Sequence, residues 1–434
     1  MSFFPRRSFI QILKGFGLFI FCLLPWAQIL AVMLNMPVMI TEDSGEYLNF
    51  AHGIIQSNFS LIQGTAIYRA PGYPILLAFG NIIFGDVAER LIYLHLLWAS
   101  SMTLVAIWSL SCVIPVWITL GAVGWYALFN APFSLAMLTE WSVGFIIVAT
   151  LSLAVRFLWK PNLRIFGVIT FLIAFAILCR PPMIVLSVIP VIGLVCLGRN
   201  RLKLAVIILL CSAALPLSWA FYNYSTHGVL SLSPRSGIVK LAQAGLFSDS
   251  DISCGEICQS DDEVKFVHSF SELKKTPEDL GQLERRVEKA YNSNYGLILG
   301  LVKENGWSPQ QADDFSSQLR DNILRGRWRV YLNFIFSEFI SQIYILSPEY
   351  QVGFLILFSL LIVRVSKQGI ELKHPLILTS TLAIGIHLIH MALCVGAVHM
   401  LPRFFLLTFL PVVYMLILCL GFSYTKKGSL SAAL

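Results

Sequence analysis

The sequence predicts an all-α polytopic membrane protein of about ten transmembrane helices, with a mostly helical loop domain outside the bilayer. Three observations predict it. Hydrophobic residues are 57% of the 434 and the mean hydropathy is +0.75, so most of the chain needs an apolar solvent. Charged residues are 13%, against about 25% in a soluble domain. Lys and Arg also collect at alternate ends of the apolar runs, the pattern that sets membrane orientation.

The elements follow in order. Arg6, Arg7 and Lys14 precede an apolar run that reaches Leu34. The run is long enough to cross and lacks a small-x-small cleavage site, so it reads as a retained first span, about 13–34, entered from the cytoplasm. The first external loop is 35–88. Within it, GYPILLAFGNIIFG is too short to cross and reads as a helix lying at the interface. Span two is about 89–109. Span three is about 112–130, ended by Asn130-Ala131-Pro132. Glu140 opens span four, about 139–158, which descends to Arg156, Lys160 and Arg164. Span five, about 164–179, rises to Arg180-Pro181-Pro182. Span six, about 183–198, descends to Arg199, Arg201 and Lys203, and span seven, about 204–222, rises again.

Residues 1–222 thus form an N-terminal membrane module, 223–346 an external loop domain, and 347–434 a C-terminal membrane module. In the loop domain, Thr276-Pro277-Glu278-Asp279 starts a helix that Gly306 closes, and Ser308-Pro309-Gln310-Gln311 starts another. The run 330–346 is apolar but contains Asn333, Glu338 and Gln342. If it crossed, Arg364, Lys367, Lys373, Lys426 and Lys427 would all lie outside, against the positive-inside rule. It is therefore read as an amphipathic helix on the outer surface. Spans eight (about 350–364), nine (about 376–397) and ten (about 404–422) complete the chain, with both termini inside.

The chemistry concentrates in residues 41–74. Glu42, Asp43 and Glu46 are three carboxylates within five residues, and Arg69 follows in a rigid Pro/Gly setting, Arg69-Ala70-Pro71-Gly72-Tyr73-Pro74. Asp43 has two readings. It can cap a helix, with Glu46 reaching back as a capping box, or it can act as a base at the membrane surface. Glu140 can orient an acceptor, help Asp43 hold a divalent metal, or simply favour a helix N-terminus. Arg69, Arg180 and Arg403 can bind phosphate as a fork or snorkel to headgroups. His387 and His390 share one face of span nine, spaced for a metal or for an interhelical hydrogen bond. Glu42, Asp43, Arg69, Glu140, Arg180, His399 and Arg403 all fall near external span ends.

At these residues the chain resembles the GT-C superfamily of membrane glycosyltransferases, in the branch of aminoarabinose transferases and protein mannosyltransferases. Asp43-Ser44-x-x-Tyr47 with Ala51, Arg69-x-Pro71-Gly72-Tyr73-Pro74, Thr139-Glu140 and Arg180-Pro181 carry the resemblance over residues 40–220, with His399-x-x-x-Arg403-Phe404 matching loosely. It implies a sugar donor on a polyprenyl phosphate, an acceptor (glycan, lipid or protein) on the external face, and a catalytic first-loop Asp. Asp43, Glu140 and Glu42 are then the catalytic candidates. Arg69, Arg180, Arg403 and His399 are the candidates for the donor phosphate, and Asp43 with Glu140 for a divalent metal. Protein mannosyltransferases follow that Asp with Glu; here Ser44 follows and Glu42 precedes, which argues against protein O-mannosylation.

Other classes fit less well. There is no Walker A sequence, no internal repeat and no nucleotide fold. A nucleotide-sugar transferase would need its polar domain in the cytosol. The net charge of +7 sits at span ends, so nucleic acid is not an expected partner. A secondary transporter or flippase is the rival, but it would place ionisable groups near midplanes and show inverted repeats. Cys254 and Cys258, in the external SCGEIC segment with Gly255 between them, are expected to pair as a disulfide. The expected location is the bacterial inner membrane, with the active site on its periplasmic side.

Overall fold

The structure, a computed structural model, describes residues 24, 26–56, 69–85, 90–197, 199–233, 236–245, 283–325, 327–345, 374–397 and 402–430, with a few isolated positions besides. The described residues are all-helical. The helices are α1 Trp26–Asn35, α2 Glu42–Gln56, α3 Gly72–Phe84, α4 Leu91–Leu110, α5 Val116–Leu135, α6 Thr139–Trp159, α7 Leu163–Cys179, a 3₁₀ turn Pro181–Ser187, α8 Val188–Cys196, α9 Arg199–His227, α10 Ser236–Ala244, α11 Leu283–Glu304, α12 Pro309–Leu324, α13 Trp328–Ile345, α14 Pro375–Ala397 and α15 Pro402–Leu430.

Among the described residues, five helices are long and apolar enough to cross a membrane: α4, α5, α6, α9 (over Asn200–His227) and α14 (over Pro375–Cys394). Apolar helical stretches of 10–17 described residues occupy Trp26–Asn35, Gly72–Phe84, Leu163–Cys179, Pro181–Cys196 and, within α15, Leu406–Leu420. The chain is an integral membrane protein. Span eight lies outside the described residues, so these helices do not by themselves make a count of ten.

The centre of the fold is α6. Its side chains are buried on all sides from Thr139 to Val155, as expected of a helix that is apolar all round. It packs on α4, α5, α7, α8, α14 and α15. The Ser152 Oγ to Tyr414 hydroxyl bond, 2.8 Å, ties it to α15. By contrast α9 is mostly exposed and lies at the edge against α7, where Ser212 donates to Thr170 at 2.9 Å.

Span three differs from expectation at its end. Asn130-Ala131-Pro132 does not stop the helix, which continues to Leu135 with Pro132 inside it. Only the Pro132 donor is missing, and its carbonyl still accepts from Ala136 at 3.1 Å. Met137 then reverses the chain with φ +49, and α6 begins two residues later. Span six also differs. The Pro181-Pro182 pair opens it as a 3₁₀ turn before α8 continues.

A second, smaller core is built by α10, α11 and α12, around Ile238, Leu241, Ile298, Leu319 and Leu324. Gly306, at φ +59, follows the end of α11 as expected. Ser308 caps α12 in a reciprocal capping box with Gln311. The expected start at Thr276 lies outside the described residues. Through Tyr331, α13 bonds Gln243 at 3.0 Å in the second core. Its Ile335 and Phe339 pack on Met391, Cys394 and Phe409 of α14 and α15.

Candidate active site

Local chemistry at the start of α2 decides the role of Asp43. The cap is Thr41, whose side-chain oxygen accepts from the Ser44 amide at 3.2 Å. Ser44 Oγ in turn accepts from the Thr41 amide at 2.6 Å. The capping box is therefore Thr41 with Ser44, and neither Asp43 nor Glu46 serves in it. Asp43 and Glu46 lie three residues apart on one helix face, and both bind Arg69. Its Nη2 donates to Asp43 Oδ1, and its Nε donates to Glu46 Oε2 at 2.6 Å. Its guanidinium also lies 5.1 Å from the Tyr47 ring centroid, a cation–π distance. Arg69 is thus clamped inside the protein, and the snorkelling reading falls.

Three residues past Arg69, α3 begins at Gly72. Pro71 precedes it and Pro74 lies in its first turn, where a missing N–H costs nothing. A Cβ at Gly72 would stand 2.6 Å from the Cys179 amide nitrogen and 2.7 Å from the Leu178 carbonyl carbon. Backbone therefore lies directly on backbone, and only glycine allows the loop to reach the end of α7.

Arg180 follows that end. Preceding a proline, it is extended, with φ −153 and ψ 104. Its Nη1 bonds Glu140 Oε1 at 2.7 Å and Thr139 Oγ1 at 3.2 Å. Thr139 Oγ1 donates to Glu140 Oε2 at 3.1 Å. Glu140 is 2% exposed and the Arg180 side chain 12%, so this pair is buried at the head of the central helix, where the dipole also favours the carboxylate.

The first ion pair lies beside Tyr47, whose ring Arg69 covers. Burial raises its phenol above the ordinary range, while Arg69 lowers it, Glu140 and Asp43 raise it, and Arg180 lowers it. Arg69 lies against the Tyr47 ring, and the backbone contact of Gly72 with Leu178 and Cys179 brings its loop beside Arg180, so the two pairs are neighbours. Burial works against the charge on Arg69, but the Asp43 and Glu46 carboxylates hold the guanidinium above its usual value. The site therefore contains two partly buried cations, Arg69 held by Asp43 and Glu46 beside the Tyr47 phenol and Arg180 held by Glu140.

The structure brings together Asp43, Arg69, Glu140 and Arg180 of the residues singled out from sequence. Glu42 is the first residue of α2 and Arg403 lies in the first turn of α15, but their side chains are outside the described residues. So are His399, Cys254 and Cys258. His387 and His390 both bond Thr408 Oγ1 of α15, at 2.9 and 3.1 Å. They serve as the interhelical link. Among the described residues no three His, Cys, Asp or Glu side chains gather to hold a metal ion. Asp43 and Glu140 each face a guanidinium. Sequence reasoning missed Glu46 as a partner of Arg69. Its i, i+3 spacing from Asp43 was the available signal.

No protein-family model matches the chain, and no curated protein matches it. Among solved structures, the chain is similar to ArnT from Cupriavidus metallidurans in two crystal structures. One is in the apo state, at 13% identity and TM-score 0.35. The other is bound to undecaprenyl phosphate, at 14% identity and TM-score 0.34. Each match covers 94% of this chain and 78% of that one. At TM-scores this low, the functional reading rests on the site itself.

Proposed function

We propose that this protein is an integral membrane glycosyltransferase of the GT-C type, moving a sugar from a polyprenyl-phosphate donor to an acceptor on the external face of the inner membrane. The observation that carries the reading is the pairing of Asp43–Arg69–Glu46 and of Glu140–Arg180 on two segments that the Gly72 contact with Leu178 and Cys179 brings side by side. Two arginines suit a phosphate that gains charge as it leaves. A carboxylate beside them suits a hydroxyl that must lose its proton.

Asp43 is the base. The donor phosphate competes for the guanidinium N–H groups that Asp43 now accepts, and Glu46 keeps Arg69 in place during that exchange. The acceptor oxygen bonds to the anomeric carbon as the bond from that carbon to the phosphate oxygen breaks. The acceptor proton goes to Asp43, and the phosphate leaves with its negative charge toward Arg69 and Arg180. Glu140 holds Arg180 for that role. Arg403 and His399 remain candidates for the same phosphate, and Glu42 for a second base. No step is assigned to a metal.

The test is transfer of radiolabelled sugar from polyprenyl-phosphate sugars by the purified protein in detergent, with cell-envelope extracts as acceptors. Label appearing in an acceptor supports the reading. Movement of intact donor across vesicles, with no covalent transfer, would make the protein a flippase instead.

A further inference from the structure

The two ion pairs sit on different elements, and the Gly72 contact with Leu178 and Cys179 holds them together on one side only. A buried residue outside the site braces the other. His95, on α4, is fully buried. One ring nitrogen, Nε2, meets the Tyr73 hydroxyl at 3.1 Å. The other, Nδ1, meets Ser134 Oγ of α5 at 2.8 Å. A neutral imidazole donates from one nitrogen and accepts at the other, and a hydroxyl can do either, so both bonds form in either tautomer. The His95 backbone carbonyl accepts from Trp141 Nε1 at 3.1 Å. Tyr73 also stacks on His95, with centroids 6.2 Å apart, and meets Tyr47 edge-on at 5.2 Å.

These contacts run in two directions. Through Tyr73 and Tyr47, His95 reaches the ring over which Arg69 lies. Its backbone carbonyl holds Trp141, the residue next to Glu140, and its ring packs on the Trp141 ring with centroids 6.4 Å apart, the part that side-chain variants remove. The Met39 amide also bonds the Leu135 carbonyl at 3.0 Å, tying the segment before α2 to the residue after Ser134. We infer that His95 is a positioning residue that sets the spacing between the Arg69 and Arg180 sites, so that one substrate can meet both. The inference rests on the glycosyl-transfer reading for its kinetic consequence, but its geometric consequence stands apart.

The variants are Tyr73→Phe, His95→Leu, the double variant and His95→Gln, each as full-length protein at matched folded amounts. Misplacement by about 1 Å can cost on the order of 10²-fold in rate. Tyr73→Phe and His95→Leu should each lower kcat about tenfold to hundredfold, with the KM for the polyprenyl-phosphate donor little changed. The double variant should lose no more than the worse single one, because both break one connection. His95→Gln retains an amide that reaches Tyr73 and should recover much of the rate. Wild-type kcat in both single variants, or losses that multiply and track only thermal stability, would overturn the inference. If the wild-type protein transfers no sugar, the enzymatic reading fails separately. The arbiter is then the Arg69-to-Arg180 separation in cryo-electron microscopy structures of His95→Leu and wild type. A shifted separation supports the role of His95, and an unchanged one removes it.

Discussion

Asp43→Asn keeps the size of the side chain and removes its charge. Because Thr41 and Ser44 cap α2, the variant should insert and fold normally. Transfer should fall by about 10²–10⁴, the usual worth of a general base. The comparison is initial rate at matched membrane levels, and near-normal turnover would send the search for a base to Glu42 or Glu140. The same cap makes Asp43→Ala interpretable, since that change no longer risks the helix start. Glu140→Ala acts differently. It leaves Arg180 buried with its carboxylate partner gone, a change that costs about 3–5 kcal/mol when a buried pair is broken. Thermal unfolding in detergent should show a large drop, partly restored by Glu140→Ala with Arg180→Ala together. An unchanged midpoint would show that the pair is not buried as described.

Elements place these residues through close backbone approach. Gly72→Ala puts a methyl into the Leu178–Cys179 backbone, which cannot move aside as a flexible side chain can. The start of α3 should lift from α7 and carry Arg69 with it, lowering turnover by about tenfold or more while the protein still inserts. Wild-type turnover in that variant would mean that the Arg69 loop is not set by this contact. In the second core, Asp313 joins α12 to α10 by accepting from the Gly237 amide at 2.9 Å. Burial raises the Asp313 carboxyl above its ordinary value, against the lowering effects of the Gly237 bond and Lys240. A raised folded pKa means stability that is present at low pH and lost as pH rises through that value. Asp313→Asn keeps an acceptor and removes the charge. It should therefore protect α10 and α12 from hydrogen exchange more than wild type at neutral pH. The gap should close as the pH falls through the carboxylate range; a gap independent of pH would contradict this account.

At the scale of the whole molecule, charge sets orientation and packing sets the site. The basic residues near 200, 370 and 430 predict those positions to be cytoplasmic, and residues 60 and 260 to be external. Dual reporter fusions at those five points check it. A C-terminus found outside would mean that 330–346 crosses and that the orientation of the last helices is reversed. The external side is also where a lipid-linked donor would present its phosphate to Arg69 and Arg180, so the same fusions bear on the proposed reaction.

The sequence by itself determined what depends on neighbours in the chain. Apolar runs of bilayer length place α4, α6 and α9. Ser308 with Gln311 and Gly306 mark helix ends, and Pro181 forces Arg180 to be extended. Each of these is a local preference, so a local pattern reveals it. The four residues that converge were also legible, because their motifs stand at span ends. The tertiary structure alone decided their partners. Asp43 and Arg69 are 26 residues apart, and Glu140 and Arg180 are 40 apart, with no periodicity linking either pair. Whether Asp43 caps α2 or holds Arg69 depends on Thr41 and Ser44 taking the cap first, an outcome that composition leaves open. The role of Gly72 depends on α7 arriving within 2.6 Å, and that of His95 on three other helices meeting at one imidazole. Such contacts are fixed only when the helices pack, because a buried hydrogen bond or ion pair has no value until its partner is brought to it.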